Sequence, residues 1–450
     1  MCPIDRDRLR QLIHTEERLF IDLHPRSREL SLRAQKSLLG GVPMNWMVEW
    51  ASPFTLFVQE GLGAHLTDVD GRRHLDLCLG DTGAMTGHSP PAAVERIVQQ
   101  ARRGLTYMLP TEDSVWVGEE LARRFGLPYW QFTLTATDAN RFALRLARQI
   151  TGRRRVLVFN RCYHGTVDES FITLKDRAPV SRPGNIGPPI DPTVTSRVVE
   201  FNDISSLEAA LAPRDIACVL AEPAMTNIGI ILPDPGFHEA LRQITLRTGT
   251  LLIVDETHTL CAGPGGCTRL YGLRPDMLTL GKAIASGVPA GAYGISSEVA
   301  ERLREQKGRI DEGAGGIGGT LAGNALTAAA MRATLSSVLT AEVYAHTVQL
   351  AQRFEAGVRA VIGALELPWN IVRLGCRAEY SFRKVPARDG TEAVASADAE
   401  LDRYLHLASL NRGILMTPFH NMALIAPDVT EADIDLHTQV FREIARAVVA

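Results

Sequence analysis

Two residues in this chain stand where chemistry is done in open α/β sheets. The apolar run LLIVDETHT (251–259) closes on Asp255, and the carboxyl ends of buried strands are where such sheets bind ligands. Read alone, Asp255 serves equally as a cap for a following helix. Lys282 follows 27 residues later, between an apolar run and small residues in LTLGKAIASGVPAGAYG (278–294). Partial desolvation there disfavours the ammonium and leaves an amine able to form a Schiff base. The alternative is a solvated surface lysine, the common fate of this residue type. A phosphate-binding P-loop is excluded, because Gly281-Lys282 lacks both the earlier glycine and a following Ser or Thr. A third segment, TATDANRFALRLARQI (135–150), opens with hydroxyl residues and an acid, then takes up helical spacing. The N–H groups of Ala136 and Thr137 at such a helix start suit a phosphate, or the start is a plain N-cap.

These residues need a scaffold. Between about residues 92 and 335, short apolar runs such as RVLVF (155–159) and ACVLA (217–221) alternate with helical segments, the rhythm of a mostly parallel sheet. Residues 1–40 read as helix and break at Gly40, Gly41 and Pro43. Residues 54–79 alternate and turn at Asp70-Gly71, a hairpin signal. Residues 344–365 place Val348, Phe354, Val358, Val361 and Leu365 on one side of a long amphipathic helix, with an α+β unit after it. Boundaries near 75 and 335 divide the chain into 1–75, 76–335 and 336–450. A glycine-rich run spans 313–323, and no internal repeat is present.

The 450 residues include 48 Lys plus Arg against 51 Asp plus Glu, so a net charge of −3 gives no electrostatic reason to expect nucleic acid or anionic membrane. Small molecules are the expected partners. Seven scattered cysteines, with no C-x-x-C pair and no zinc-finger spacing, read as reduced thiols in cytoplasm, and no metal is expected. The N-terminus lacks a signal peptide's apolar stretch, and nowhere do 18 apolar residues run together.

In order along the chain stand DVDGRRHLDL (68–77), GHSP (87–90), TATDAN (135–140), YHG (163–165), AEP (221–223), VDETHT (254–259), LGK (280–282) and GGTLAGN (318–324). From about 42 to 435 this ordered set resembles the class III aminotransferases, within the fold type I pyridoxal-5′-phosphate enzymes, close to the glutamate-1-semialdehyde aminomutase branch. The resemblance implies a large α/β domain with a mostly parallel seven-stranded sheet, and a smaller α+β domain built from the N- and C-terminal segments. It implies pyridoxal 5′-phosphate as cofactor, with Lys282 as Schiff-base lysine and proton shuttle and Asp255 on the pyridine nitrogen. Glu222 would help orient the ring and a water. Tyr163 would stack on the ring beside His164, Ala136 and Thr137 would hold the phosphate, and Thr320 would reach the phosphate of the neighbouring subunit. A homodimer with shared active sites follows from that last role.

Three departures accompany the resemblance. The phosphate motif, commonly Ser-Gly-Thr-Glu-Ala, reads Thr135-Ala136-Thr137-Asp138-Ala139, so the loop must use right-handed backbone or carry strain. After Asp255 comes Glu256-Thr257-His258 where Glu-Val is common, which places Thr257 or His258 against the cofactor, or His258 in a structural hydrogen bond. No arginine occurs in GGVPMNWMVEW (40–50) or TPFHNMALIAP (417–427) to hold a substrate carboxylate. Met44, Trp46, Met47 and Phe419 are candidate substrate walls, with Asn45, His420 and Asn421 as polar contacts, or all are ordinary packing. The expected activity is ping-pong transamination from an amine or hydrophobic amino acid to an oxo-acid. The alternatives are a glutamate-1-semialdehyde-type aminomutase or a racemase, against which the absent arginine counts in the first case, and a non-catalytic binding protein.

Overall fold

A computed structural model describes residues 4–305 and 316–449; Cys2 and Gly313 lie outside the described residues. The first helix, Arg6–Leu23, starts where the Asp5 carboxylate accepts from the N–H groups of Asp7 and Arg8, and buries Leu9, Ile13 and Phe20 on one side. The helical run ends near the expected break, with Gly40 and Gly41 at φ +69° and +74°. Strands β1 (Val58–Leu62), β2 (His65–Asp68) and β3 (Arg73–Asp76) form an antiparallel meander. Its Asp70-Gly71 turn is held by the Asp68 carboxylate, which accepts from the Asp70 and Arg72 N–H groups at 2.9 Å each.

Seven strands build the large sheet: β4 (Tyr129–Thr133), β5 (Arg155–Phe159), β8 (Ser196–Val199), β9 (Ile216–Ala221), β10 (Leu251–Asp255), β11 (Met277–Leu280) and β12 (Gly291–Ile295). A separate hairpin, β6 (Ile172–Lys175) and β7 (Ala178–Ser181), intervenes in sequence. The order across the sheet is β4-β12-β11-β10-β9-β5-β8. All neighbours pair in parallel except β12, which is antiparallel to both β11 and β4. Strands β9, β10 and β11 are buried at every position, which is why they read as continuous apolar runs rather than alternating ones. This sheet and its helices make one unit, Pro91–Ala341 with Ala387–Ala395.

The other unit comprises Met1–Pro90, Glu342–Pro386 and Ser396–Ala450. The expected long helix runs Ala341–Ala364 and buries Phe354, Val358 and Val361. Strands β13 (Asn370–Leu374), β14 (Arg377–Ser381) and β16 (Met422–Leu424) form an antiparallel sheet, while β15 (Ile414–Leu415) joins β3 in parallel. The units divide at 90/91 and 341/342, against expected boundaries near 75 and 335. Among the described residues, no helix is long and apolar enough to cross a membrane.

This unit carries a pH-sensitive contact. Burial pushes the Asp402 carboxyl up to about 6, helped by Asp398 and Glu379, although Asn421 donates to it at 2.7 Å. A folded value above the unfolded one gives stability that is complete below about pH 4 and lost as pH rises through about 6. Wild type should lose about 2 kcal/mol more than Asp402→Asn between pH 4 and pH 7 in urea titrations. Parallel pH profiles of the two proteins would refute this.

Candidate active site

The chain runs from β5 outward to β8 and then returns through β9, β10 and β11, so the strand order reverses between β5 and β9. Ligands bind in the crevice outside the carboxyl ends at such a reversal. Tyr163 and His164 follow β5, Glu222 follows β9, Asp255 ends β10 and Lys282 follows β11. Val254 pairs with Ala221 and Asp255 with Thr279, so both acids and the lysine segment emerge at one edge.

Asp255 is buried and heavily bonded. Its Oδ2 lies 2.9 Å from His164 Nδ1 and accepts from Asn140 Nδ2 at 2.8 Å, while its Oδ1 accepts from the Thr257 N–H at 3.0 Å. Asn140 is oriented in turn by Thr279, whose hydroxyl donates to its Oδ1 at 2.7 Å. Burial alone would protonate Asp255, but the bond and charge of His164, with Thr257 and Asn140, hold it far below the usual carboxylate range. Burial likewise works against a charged His164, and its neighbours Cys162 and Asp255 outweigh that and raise it well above the usual imidazole value. The carboxylate therefore stays anionic in a dry site.

Lys282 Nζ lies 2.7 Å from His258 Nε2. The lysine backbone has φ +53°, a conformation L-residues seldom adopt, immediately after Gly281. A Cβ on Gly281 would lie 2.7 Å from Ala136 Cβ, so only glycine lets the lysine segment reach the start of the helix Ala136–Thr151. That helix is capped by Thr135 Oγ1, which accepts from the Asp138 N–H at 3.1 Å. Ala136 has no positive φ: the motif uses right-handed helical backbone, which resolves the strain that an alanine there raised. The N–H groups of Ala136 and Thr137 are among those a helix start leaves without intrahelical partners. Gly165, at φ +78°, packs so closely on Thr137 that a Cβ would collide with its hydroxyl.

Glu222 is buried and accepts from Thr226 Oγ1 and from Asn227 Nδ2, the latter at 3.2 Å. Burial raises its pKa, against the charge of His164 and those two bonds. Asn227 also reaches the Tyr163 carbonyl at 3.5 Å, linking the β5 and β9 loops. Thus Ala136, Thr137, Tyr163, His164, Glu222, Asp255, His258 and Lys282 all belong to one unit and gather at one sheet edge. Thr320, in the same unit, is exposed and lines a separate groove with Met108, Leu109 and Phe132. The candidate substrate residues lie in the other unit. There Trp46 and Phe419 meet edge to face at 6.0 Å, Met44 is exposed, and His420 is buried with its Nδ1 3.1 Å from Glu379 Oε1.

Asn140, Thr279, Thr226 and Asn227 were not singled out from the sequence. Asn140 did carry a signal, because it interrupts the buried stripe formed by Ala139, Ala143, Leu144 and Ala147 with a polar side chain.

Residues 46–445 match the family Aminotransferase class-III. This chain belongs to that family. A glutamate-1-semialdehyde 2,1-aminomutase from Myxococcus xanthus (strain DK1622) is 32% identical over 425 residues, covering 90% of this chain and 95% of the relative. The crystal structure of a glutamate-1-semialdehyde-aminomutase from Pseudomonas aeruginosa PAO1 superposes with a TM-score of 0.97 at 48% identity, covering 99% of each chain. An omega-transaminase from Sphaerobacter thermophilus gives 0.87 at 28% identity, covering 94% of this chain and 98% of that one. The chain is therefore a class-III, fold type I enzyme that uses pyridoxal 5′-phosphate. The expectation of a two-substrate ping-pong aminotransferase is corrected: the high-identity relatives are aminomutases, which favours the alternative that the missing arginine had weighed against.

The site fits the cofactor. It offers an acid that stays anionic, a lysine amine against His258, a helix start for a phosphate, and two buried polar atoms, His164 Nε2 and Thr257 Oγ1, without hydrogen-bond partners among the described residues.

Proposed function

We propose that this enzyme is an aminomutase that moves the amino group of glutamate 1-semialdehyde from carbon 2 to carbon 1, giving 5-amino-4-oxopentanoate. The reading rests above all on 48% identity along 99% of the chain to a protein of that name. The conversion is an isomerisation, so it consumes no second substrate. When bound, pyridoxal phosphate supplies an electron sink for the substrate carbon. Asp255 keeps a proton on the pyridine nitrogen through its buried negative charge. Lys282 Nζ takes a proton from one substrate carbon and returns one to its neighbour. Ala136 and Thr137 hold the phosphate through their N–H groups and the helix dipole. Tyr163 covers one ring face, and Glu222 with Asn227 and Thr226 fixes the loop beside it.

A second copy of the chain completes the site in this reading. Met108 and Leu109 stand 76% and 72% exposed in the groove that also carries Thr320, and a partner packed there would cover them. Packing a partner there brings Thr320 to the partner's phosphate.

The decisive experiment supplies glutamate 1-semialdehyde alone to the purified enzyme. Conversion to 5-amino-4-oxopentanoate with no added amine or oxo-acid is expected. An absolute requirement for a co-substrate would overturn the aminomutase reading.

A further inference from the structure

An ammonium can neither attack a carbonyl carbon nor remove a proton from a substrate, so the lysine of this site needs somewhere to leave its own proton. We propose that His258 accepts the ammonium proton of Lys282 and later gives it back; this rests on Lys282 being the cofactor lysine. The contact is direct, 2.7 Å between Nζ and Nε2, and His258 is 6% exposed. In the transfer the Nζ–H bond breaks, an Nε2–H bond forms and the electron pair remains on Nζ. The charge moves from lysine to imidazole, and the reverse step restores both.

Both partners are held in place by the chain around them. Lys282 is fixed by its left-handed backbone and by Gly281 against Ala136. His258 lies on the turn after β10, where the Cys261 N–H donates to its carbonyl at 3.2 Å and the Leu260 N–H donates to the Glu256 carbonyl at 2.9 Å. The turn is pinned from below by the buried Glu256 carboxylate, which accepts from Thr259 Oγ1 at 2.5 Å, from the Cys267 N–H at 3.1 Å and from the Thr268 N–H. The two acids of the site are otherwise engaged, Asp255 by His164, Asn140 and Thr257, and Glu222 by Thr226 and Asn227. Imidazole is also the side chain that exchanges a proton near neutral pH.

The test compares His258→Gln with His258→Ala in the full chain. Glutamine keeps a hydrogen-bond acceptor but cannot carry the proton. Cofactor-free enzyme is mixed with pyridoxal 5′-phosphate, and the growth of visible absorbance reports capture by Lys282 with no substrate present. Both variants should capture about 10²-fold more slowly than wild type, to the same final absorbance, and free imidazole should speed His258→Ala. Under turnover, His258→Gln should lower kcat and leave KM unchanged. Wild-type capture rates in His258→Gln would overturn the proposal, because the ring would then only position the amine. If neither variant folds, capture by wild type in heavy water decides, and the absence of a solvent isotope effect overturns it equally. Because capture is read without substrate, its outcome is separate from that of the aminomutase reading.

Discussion

Lys282→Ala is expected to bind pyridoxal 5′-phosphate without developing the visible absorbance of the wild-type complex, and to lose turnover by at least about 10³-fold. In the proposed reading both effects have one origin: the same amine would bond the cofactor and carry the proton, and each role is worth orders of magnitude. The fold should survive, since alanine keeps an L-residue in the same left-handed backbone and the lysine is only half-buried. A melting temperature near that of wild type, measured alongside kcat, separates lost chemistry from lost structure. Turnover within ten-fold of wild type would remove Lys282 from the site. The same variant tests the proposed sharing of the site between two copies of the chain. Co-expressed with Thr320→Ala, it should regain activity in mixed dimers, because one of their two sites then holds both an intact lysine and an intact threonine. No recovery would place Thr320 outside the partner's site.

That an acid and a lysine stand at the carboxyl ends of two buried strands was legible for a physical reason. Strands β10 and β11 are buried on both faces and so read as apolar runs, against which an ionisable residue at or just beyond the end stands out. The helix from Ala136 was legible in its cap and spacing, and its alanine proved compatible with right-handed backbone. Tertiary pairing was not. Nothing local marks β12 as antiparallel between β11 and β4, or assigns Ala387–Ala395 to the same unit as the large sheet. The partners of Asp255 lie 91 and 115 residues away, at His164 and Asn140, so their role emerges only when the sheet assembles. The reaction class was misjudged for a related reason. The absence of arginine from two windows does not disfavour a carboxylate substrate, because backbone N–H, hydroxyl and amide groups also bind carboxylates, and sequence does not place them.

The second large effect is expected at Asp255. Asp255→Asn preserves size and leaves an oxygen to accept from the Thr257 N–H, so the enzyme should fold and retain cofactor at the phosphate end. Its kcat should nevertheless fall by about 10³-fold, the scale on which a buried electrostatic contact to developing charge is worth. An amide has no net charge to hold a proton on the pyridine nitrogen, and without that proton the ring is a poorer acceptor of electrons. The substitution also removes the counter-charge of His164. The buried imidazole is then expected to shed its proton rather than remain an unpaired cation, which limits the loss in folding stability to less than the roughly 3–5 kcal/mol of a broken buried ion pair. Urea titration measures that loss, while kcat at saturating cofactor measures the chemistry. The two readouts distinguish an electronic role from a scaffold role: a destabilised enzyme with wild-type kcat would make Asp255 a structural acid, and Asp255→Glu, which keeps the charge but lengthens the arm, should then behave no better than the amide.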